Sequence, residues 1–390
     1  MTENASFRRT AWKKFKRDPL AVTGLCGVVG ALLLAIFAPL ISNQRPLLMI
    51  DGGTWSMPFL RPLFAPDSPE VLVECSFNYL LLWLPVAGVA WLLRGKYPRT
   101  AKWSLAAVSV ALLLPFLLIK PRLDKTDYLA ERGTPGKVMI FAPNPYGPFE
   151  QKAGVNEKPN ARHWLGSDPI GRDLTARMLY GGRVSLAVGL AATAIALVIG
   201  TGIGICSGYF GGRFDLVTMR IVEIFICFPS FLLLLILMSM LRDYKFEQSI
   251  LVVILVIGLT DWIGFCRLVR GEVLKVRALP YISSCEVAGM PVRRLMFYHL
   301  LPNVSAPLLI SFTFGIVGSI LAESGLSFLG FGVQAPTASW GGLLRQALDD
   351  PFQYWQLTLF PGLALFWLVC AFNFAGEGLR KIFDPRAMDQ

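Results

Sequence analysis

Eight stretches of the chain consist almost entirely of apolar side chains and are separated by polar segments. An α-helix rises about 1.5 Å per residue, so about 20 apolar residues cross the hydrocarbon core of a bilayer. The predicted spans are Leu20–Ile41, Phe77–Leu93, Trp103–Ile119, Val184–Tyr209, Leu216–Leu241, Ser249–Phe265, Val304–Ala322 and Tyr354–Ala375. This pattern predicts an all-α fold, a polytopic transmembrane helix bundle.

The composition agrees with that prediction and limits the chemistry. Of the 390 residues, 54% are hydrophobic and 16% are charged, whereas about 25% of residues are charged in soluble domains. The seven cysteines include no C-x-x-C pair, and the two histidines, His163 and His299, are far apart in the sequence. These residues predict neither a metal site nor a histidine-based catalytic triad. We therefore expect a non-catalytic chain without a bound cofactor.

The positions of lysine and arginine predict the orientation of the spans, because positively charged loops stay in the cytoplasm. Six basic residues at positions 8–17 place the N-terminus there. With alternating spans, the loop Arg94–Lys102 and the segment Arg267–Pro302 are also cytoplasmic, and both are rich in basic residues. We predict cytoplasmic N- and C-termini. The net charge of +11 then reflects membrane topology and not binding to nucleic acid.

Two polar segments are longer than simple connections require. The outside segment Lys120–Arg183 is rich in proline and glycine, which predicts an ordered loop without long helices. The inside segment contains Tyr281–His299, which predicts two short helices broken at Gly289 and Pro291.

The first of these two helices has two different faces. Its apolar positions are Ile282, Cys285, Val287 and Ala288, and its polar positions are Ser283, Ser284 and Glu286. Such a helix either docks into a groove on a cytoplasmic partner or lies at the lipid interface. The residues alone leave both alternatives open.

Two glycine patterns resemble nucleotide-binding motifs only superficially. Residues 166–173 (GSDPIGRD) have the glycine spacing of a P-loop but lack its Lys-Ser/Thr pair. The glycines at positions 200, 202, 204 and 208 lie in a predicted span, where small residues permit close helix packing. We expect neither segment to bind a nucleotide, so this chain supplies no energy source of its own.

Three acidic residues lie within or at the end of predicted spans. Glu223 and Asp261 are candidates for pathway or interhelical polar residues, because ionisable side chains are costly in a membrane. Asp261 alternatively pairs with Arg267 or Arg220 at the inner boundary. Glu323, at the outer end of its span, is expected to face water or a protein outside the membrane.

Several motifs resemble one family of membrane proteins. Residues 275–303 (KVRALPYISSCEVAGMPVRRLMFYHLLPN) resemble the cytoplasmic "EAA" loop of ABC-importer permeases, with the signature glycine at Gly289 and the terminal run His299, Leu300, Leu301, Pro302, Asn303. Five further segments resemble the C-type permease subunit of the dipeptide/oligopeptide/nickel family. They are the N-terminal WKKFKRDPLAVTGL, GSDPIGRDLTARMLYGGRVSL, GYFGGRFDLVTMR, LSFLGFGVQAPTASWGGLL and GLRKIFDPR. This resemblance implies the type I ABC-importer permease fold.

The chain departs from the family in two places. Ser283, Ser284 and Cys285 stand where the family has Glu-Ala-Ala, and Glu286 follows three residues after the usual acidic position. Two additional spans lie within Phe77–Ile119. We therefore divide the chain into residues 1–42 with the first span, an atypical insertion at 43–165, and a permease domain at 166–390 with a cytoplasmic coupling loop at 267–302.

The resemblance also implies a function and a set of partners. The chain would form half of an importer for di- or oligopeptides in the inner (plasma) membrane, with a second permease subunit, two cytoplasmic ABC ATPases that use ATP and Mg, and an extracytoplasmic substrate-binding protein. Nickel or another small solute is an alternative cargo, and an ATP-independent secondary transporter is the alternative from another class. The residues implied to couple to an ATPase are Tyr281, Ser283, Ser284, Cys285, Glu286, Gly289 and Met290. Arg293 and Arg294 either meet acids on that ATPase or serve only as topology charges.

Overall fold

The computed structural model describes residues 15–93, 98–119, 126–243 and 249–383. The basic residues before position 15, the first part of the predicted cytoplasmic turn (94–97), residues 120–125 of the outside segment and the end of the closing motif after Phe383 lie outside the described residues. The chain forms two compact units. The first comprises Met1–Gly30, Leu186–Gly332 and Leu363–Gln390, and the second comprises Ala31–Ser185 and Val333–Gly362.

The helices and strands are numbered in chain order. They are α1 (Pro19–Ile36), α2 (Ala38–Ile41), β1 (Leu48–Asp51), β2 (Thr54–Ser56), α3 (Leu60–Phe64), α4 (Val71–Leu93), α5 (Pro98–Leu118), β3 (Lys137–Ile140), α6 (Leu174–Phe210), α7 (Gly212–Ile226), α8 (Ser230–Asp243), α9 (Ile250–Thr260), α10 (Trp262–Arg277), α11 (Pro280–Val287), α12 (Val292–Leu295), α13 (Leu301–Leu329), α14 (Trp340–Gln346) and α15 (Trp355–Phe383).

The fold class is confirmed, since the chain is mostly helical and most of the predicted spans lie in its long helices; the predicted span Leu216–Leu241 is instead divided between α7 and α8. Within the described residues, six helices are long and apolar enough to cross a membrane: α1, α4, α6, α15 and the continuous pairs Ile250–Arg277 and Val292–Leu329. α7 and α8 pass this test together but bend by 82°. The bend lies at Pro229, which lacks the N–H donor that a continuous helix needs. With the 21-residue α5, these elements form a bundle of about eight spans.

The outside segment differs from the prediction at its C-terminal end, because α6 begins at Leu174. Asp173 caps this helix, and its Oδ1 accepts a hydrogen bond of 2.7 Å from the backbone N–H of Ala176. Its Oδ2 lies 2.8 Å from Nδ1 of the buried His163. The carboxylate of Asp173, in the segment that resembles a P-loop, therefore serves as a helix cap.

A small antiparallel sheet with the order β2-β1-β3 was not predicted for the second unit. β1 and β2 are joined by Gly52 and Gly53, which have φ angles of +54° and +86°. A two-residue hairpin turn requires such positive φ angles, which glycine adopts without strain. The sequence Asp51-Gly52-Gly53-Thr54 is thus a hairpin signal.

The guanidinium of Arg183 joins three segments of the second unit. Its side chain is buried, and Nε and Nη2 donate hydrogen bonds of 2.7 and 3.1 Å to the carbonyl oxygens of Ala35 and Ile36, the last two residues of α1. Nη1 donates a bond of 3.0 Å to Oδ1 of Asn78 in α4. A buried charge requires such partners. The side chain of Arg183 therefore connects α4 to the end of α1.

Replacing Asn78 with alanine should destabilise the second unit, because it leaves one N–H of the buried guanidinium without an acceptor. Such a loss costs about 1–3 kcal/mol, which should lower the midpoint of thermal unfolding of the detergent-solubilised protein. Ser76→Ala, an exposed position of the same helix, is the matched control. Equal midpoints for both variants would show that the Arg183–Asn78 contact does not stabilise this unit.

Candidate functional site

The candidate coupling helix α11 has a defined start and a defined end. Leu279 is extended and Pro280 occupies the first helical position, where its missing N–H is no loss. At the other end Gly289 has a φ of +71°. The backbone N–H of Gly289 donates to Glu286 O at 3.0 Å, and that of Met290 donates to Cys285 O at 3.1 Å. This is a Schellman motif, in which the left-handed residue is usually glycine.

The predicted break at Gly289 and Pro291 is present, but the second helix is not short. α12 continues through a π-helical turn, Met296–Leu300, into the long helix α13. In this turn the backbone N–H of Leu301 donates to Met296 O, five residues earlier. Pro302 follows directly, and its ring would clash with a carbonyl oxygen in a regular α-helical ladder. The loop is therefore continuous with a span.

Ile282 anchors α11 in the apolar core of the first unit. Its side chain is 0% exposed, and the core around it includes Val269 and Val273 of α10 and Leu295 of α12. Cys285 is half-buried against the same core. Full burial of one isoleucine side chain stabilises by about 1.5–3 kcal/mol. One face of α11 is thus fixed by packing.

The remaining residues of α11 face away from that core. Tyr281, Ser283, Ser284, Glu286 and Gly289 are exposed, and Met290 is half-buried against the core. The predicted apolar face is wrong for its C-terminal part: Ala288 is exposed, and Val287 is 90% exposed. The reason is geometric, because positions 282 and 285 lie one helical turn apart while 287 lies on another side of the helix. Arg293 and Arg294 are also exposed.

Polar contacts add to this anchoring. The amide Nδ2 of Asn303 donates to the hydroxyl of Tyr281 at 3.1 Å. The hydroxyl of Tyr209, near the C-terminal end of α6, lies close to the carboxylate of Glu286, and the guanidinium of Arg277 lies 5.4 Å from the Tyr209 ring centroid. Glu286, which the sequence places three residues after the usual acidic position, therefore lies beside the end of α6.

Three glycines bring the backbones of α6 and α10 into direct contact. A Cβ atom at Gly200 would lie 2.5 Å from the carbonyl oxygen of Trp262, and one at Gly204 would lie 2.7 Å from that of Cys266. At Gly208 it would lie 2.9 Å from Cβ of Val273. The interpretation of these glycines as packing residues is confirmed. Gly202 is different, since its position has no neighbouring atom within 4 Å.

An ion pair joins the start of α7 to α10. Nε and Nη2 of Arg270 donate to the two carboxylate oxygens of Asp215 at 2.5 and 2.6 Å. The hydroxyl of Ser207 in α6 donates to the same carboxylate. Bidentate arginine–carboxylate pairs fix orientation as well as distance. The elements around α11 are therefore held by directional contacts in addition to apolar packing.

The acidic candidates occupy three different environments. Glu223 pairs with Arg220 at 2.6 Å, and both side chains are exposed. Asp261 lies half-buried at the junction of α9 and α10 and, within the described chain, makes no ion pair with Arg220 or Arg267. The expectation for Glu323 is wrong: its side chain is 0% exposed and accepts a hydrogen bond of 2.7 Å from Ser327. A serine one helical turn away satisfies it within the bundle.

The helices that are long and apolar enough to cross a bilayer define the class, a polytopic membrane protein. Residues 200–389 match the family described as "Binding-protein-dependent transport system inner membrane component", and residues 6–54 match the "N-terminal TM domain of oligopeptide transport permease C". The chain is 32% identical over 333 residues to the dipeptide transport system permease protein of Alkalihalophilus pseudofirmus, covering 84% of this chain and 97% of the relative. The chain belongs to this family of inner membrane transport components.

Two other relatives are similar over a smaller part of the chain. The glutathione transport system permease protein of Pectobacterium atrosepticum is 37% identical over 60% of this chain and 75% of its own length. The oligopeptide transport system permease protein of Haemophilus influenzae is 39% identical over 57% of this chain and 70% of its own length.

Gly200→Ala should destabilise the first unit, because its methyl group would meet the Trp262 carbonyl oxygen and force α6 and α10 apart. Such overpacking typically costs about 1–3 kcal/mol. Gly202→Ala has open space and should be neutral or stabilising by up to about 1 kcal/mol, because alanine favours helices. The thermal unfolding midpoints of both variants in detergent provide the measurement. A smaller decrease in the unfolding midpoint for Gly200→Ala than for Gly202→Ala would contradict the interpretation of Gly200 as a packing residue.

Proposed function

We propose that this chain is a permease subunit of an ATP-driven importer for di- or oligopeptides. The three relatives described above are named for the transport of dipeptides, glutathione and oligopeptides, all of which are peptides. In this proposal the chain forms half of the translocation pathway beside a second, homologous permease subunit. A substrate-binding protein outside the membrane delivers the peptide.

The proposal for coupling rests on the different exposure of two side chains of α11. Ile282 is completely buried among the spans, whereas Val287 is 90% exposed at the other end of the same helix. A partner that binds the exposed side would therefore act on the core through a rigid connection. The proposed contact set is Tyr281, Ser283, Ser284, Cys285, Glu286, Gly289 and Met290, in which Cys285 and Met290 position the helix and the exposed members face a cytoplasmic ABC ATPase.

ATP and Mg act on the partner ATPases, and this chain is a non-catalytic part of the machine. A ligand shifts a two-state equilibrium only by its different affinity for the two states. ATP binding to the partners must therefore favour one arrangement of the permease. Glu223 and Asp261 remain proposals for residues of the pathway or of contacts between helices.

An ion pair supports the proposed location of both termini in the cytoplasm. Oδ1 of Asp18 accepts hydrogen bonds from the backbone N–H groups of Leu20 and Ala21 at the start of α1, and Oδ2 pairs with Nζ of Lys381 at 2.5 Å. The hydrogen bond from Lys381 lowers the pKa of the Asp18 carboxyl. The beginning of the first span and the end of the last helix thus lie at one side, and the basic N-terminal residues place that side inside.

Reconstitution with the two ATPases and the binding protein in proteoliposomes tests the function. We expect ATP-dependent uptake of a labelled di- or tripeptide, and in the same assay we expect Gly289→Val to abolish it. The reason is conformational: no atom crowds this position, but its φ of +71° is strained for a β-branched residue.

Gly289→Asn is the matched control, because asparagine tolerates a positive φ and should retain most of the uptake. Equal expression and membrane insertion of both variants must accompany the result. Normal peptide-dependent ATP hydrolysis by Gly289→Val would contradict the coupling proposal, and uptake of nickel without uptake of peptide would contradict the peptide proposal.

The proposed orientation predicts that a cysteine at position 97, in a variant without the native cysteines, reacts only with a reagent added from the cytoplasmic side. Position 97 lies between the two added spans, and the surrounding loop is basic. A cysteine at position 131, in the outside segment, is the opposite control. Labelling of Tyr97→Cys from the outside would mean that one of the two added helices does not cross the membrane.

A further inference from the structure

One face of the three-stranded sheet is apolar and exposed. Side chains alternate between the two faces of a strand. In the register of this sheet, Ile50 lies opposite both Trp55 and Val138, and Leu48 lies opposite Ile140, so these five residues share one face. Trp55, Val138 and Ile140 are 72%, 59% and 53% exposed. We call this set the apolar sheet face. Contiguous exposed apolar surface usually marks an interaction site.

The charged side chains of the strands lie on the other face. Lys137 and Asp51 are paired in the register, and their Nζ and Oδ2 atoms are 3.6 Å apart. Lys137 Nζ also lies 2.9 Å from Oε2 of Glu131. Thr54 is opposite Asp51. The sheet is therefore amphipathic, and its exposed apolar face carries no charged side chain.

Short connections tie this sheet to the ends of the added helices. Three residues separate β2 from α3, and the carbonyl oxygen of Leu63 in α3 accepts a hydrogen bond of 2.9 Å from Asn78 in α4. The ring of Phe64 contacts that of Phe116, near the end of α5, at a centroid distance of 5.1 Å. Three connecting residues span at most about 14 Å from strand to helix. The headgroup layer adds roughly 5–8 Å to each side of the hydrocarbon core, so the sheet lies within reach of this layer.

Apolar side chains are also exposed directly after β2 and at one end of the α4–α5 hairpin. Met57, directly after β2, is 51% exposed, and Leu72 and Leu118, at the same end of the hairpin, are 62% and 75% exposed. Exposed apolar side chains on membrane-spanning helices suit contact with lipid. The exposed apolar side chains of the sheet, which short connections hold near this end, suit the same surroundings.

We propose that the apolar sheet face rests on the lipid of the outer leaflet, with the Trp55 indole at the level of the headgroups. Indole rings favour this depth because they are apolar and still donate a hydrogen bond. A face without charged side chains carries no group that opposes contact with lipid, where an ionised side chain is costly. The assignment to the outer leaflet depends on the proposed orientation, whereas contact with lipid depends only on the sheet.

Fluorescence quenching of the full chain in phosphatidylcholine vesicles with brominated lipids tests this proposal. The emission of Trp55 is obtained as the difference between the wild-type protein and Trp55→Phe. We expect this emission at short wavelength, with the strongest quenching by lipids brominated in the upper part of the acyl chain. Trp164, which is 45% exposed in the same unit, is the matched control; its difference emission should resist quenching.

Two further variants separate contact with lipid from a folding defect. Val138→Asp changes an exposed side chain, so the sheet should fold, but the charge should remove most of the Trp55 quenching. Lys137→Gln on the opposite face should leave the quenching unchanged. Unquenched Trp55 emission in the wild-type protein would overturn the proposal. So would a Trp55 emission that changes only when substrate-binding protein or a second copy of the chain is added.

The assay contains neither peptide nor ATPase, so its result is independent of the proposed transport function. If peptide uptake fails while Trp55 is quenched, the transport proposal is wrong and the lipid contact stands. If uptake succeeds while Trp55 is unquenched, the lipid contact is wrong and the transport proposal stands. The cysteine at position 97 decides the leaflet: labelling from the outside would overturn the assignment to the outer one.

Discussion

The burial of Ile282 is the contact on which the structure of the coupling region depends. A single eight-residue helix is too short to be stable alone in water, so α11 exists because its apolar side is covered by α10 and α12. The glycine contacts between α6 and α10 make that cover possible, since they allow the two backbones to approach within van der Waals distance. The hydrogen bond from Asn303 to the hydroxyl of Tyr281 adds a directional connection to α13. Packing and polar contacts together convert a short surface helix into a part of the membrane bundle.

The same principle, that buried polar groups need internal partners in a membrane, explains features of both units. In the first unit, the buried carboxylate of Glu323 accepts a hydrogen bond from Ser327. In the second, Arg183 is surrounded by two helix-terminal carbonyl groups and Asn78. Asn78 belongs to α4, which lies in the segment predicted to be an atypical insertion. α4 is therefore bound by specific contacts within the second unit.

Much of the fold could be predicted from the sequence, because long apolar segments have few alternatives to membrane helices. The break at Gly289 and Pro291 was likewise predictable from the conformational limits of glycine and proline. The direction of Val287 was not, because the polarity of an eight-residue helix does not determine which side meets the core. The proximity of Glu286 to Tyr209 was not predictable either, because the two residues are far apart in the sequence. The sheet was missed although Asp51-Gly52-Gly53-Thr54 is a hairpin signal, because its strands have only three or four residues each.

The central claim is that α11 moves as one body with the helices that hold it. The most direct measurement is the distance between spin labels at Ser284, exposed on α11, and at Gly202, exposed on α6, in the reconstituted importer with and without ATP. The account predicts the same narrow distance distribution in both states. A change as large as one helical turn, about 5.4 Å, would show that α11 swings independently of the core and would contradict the account.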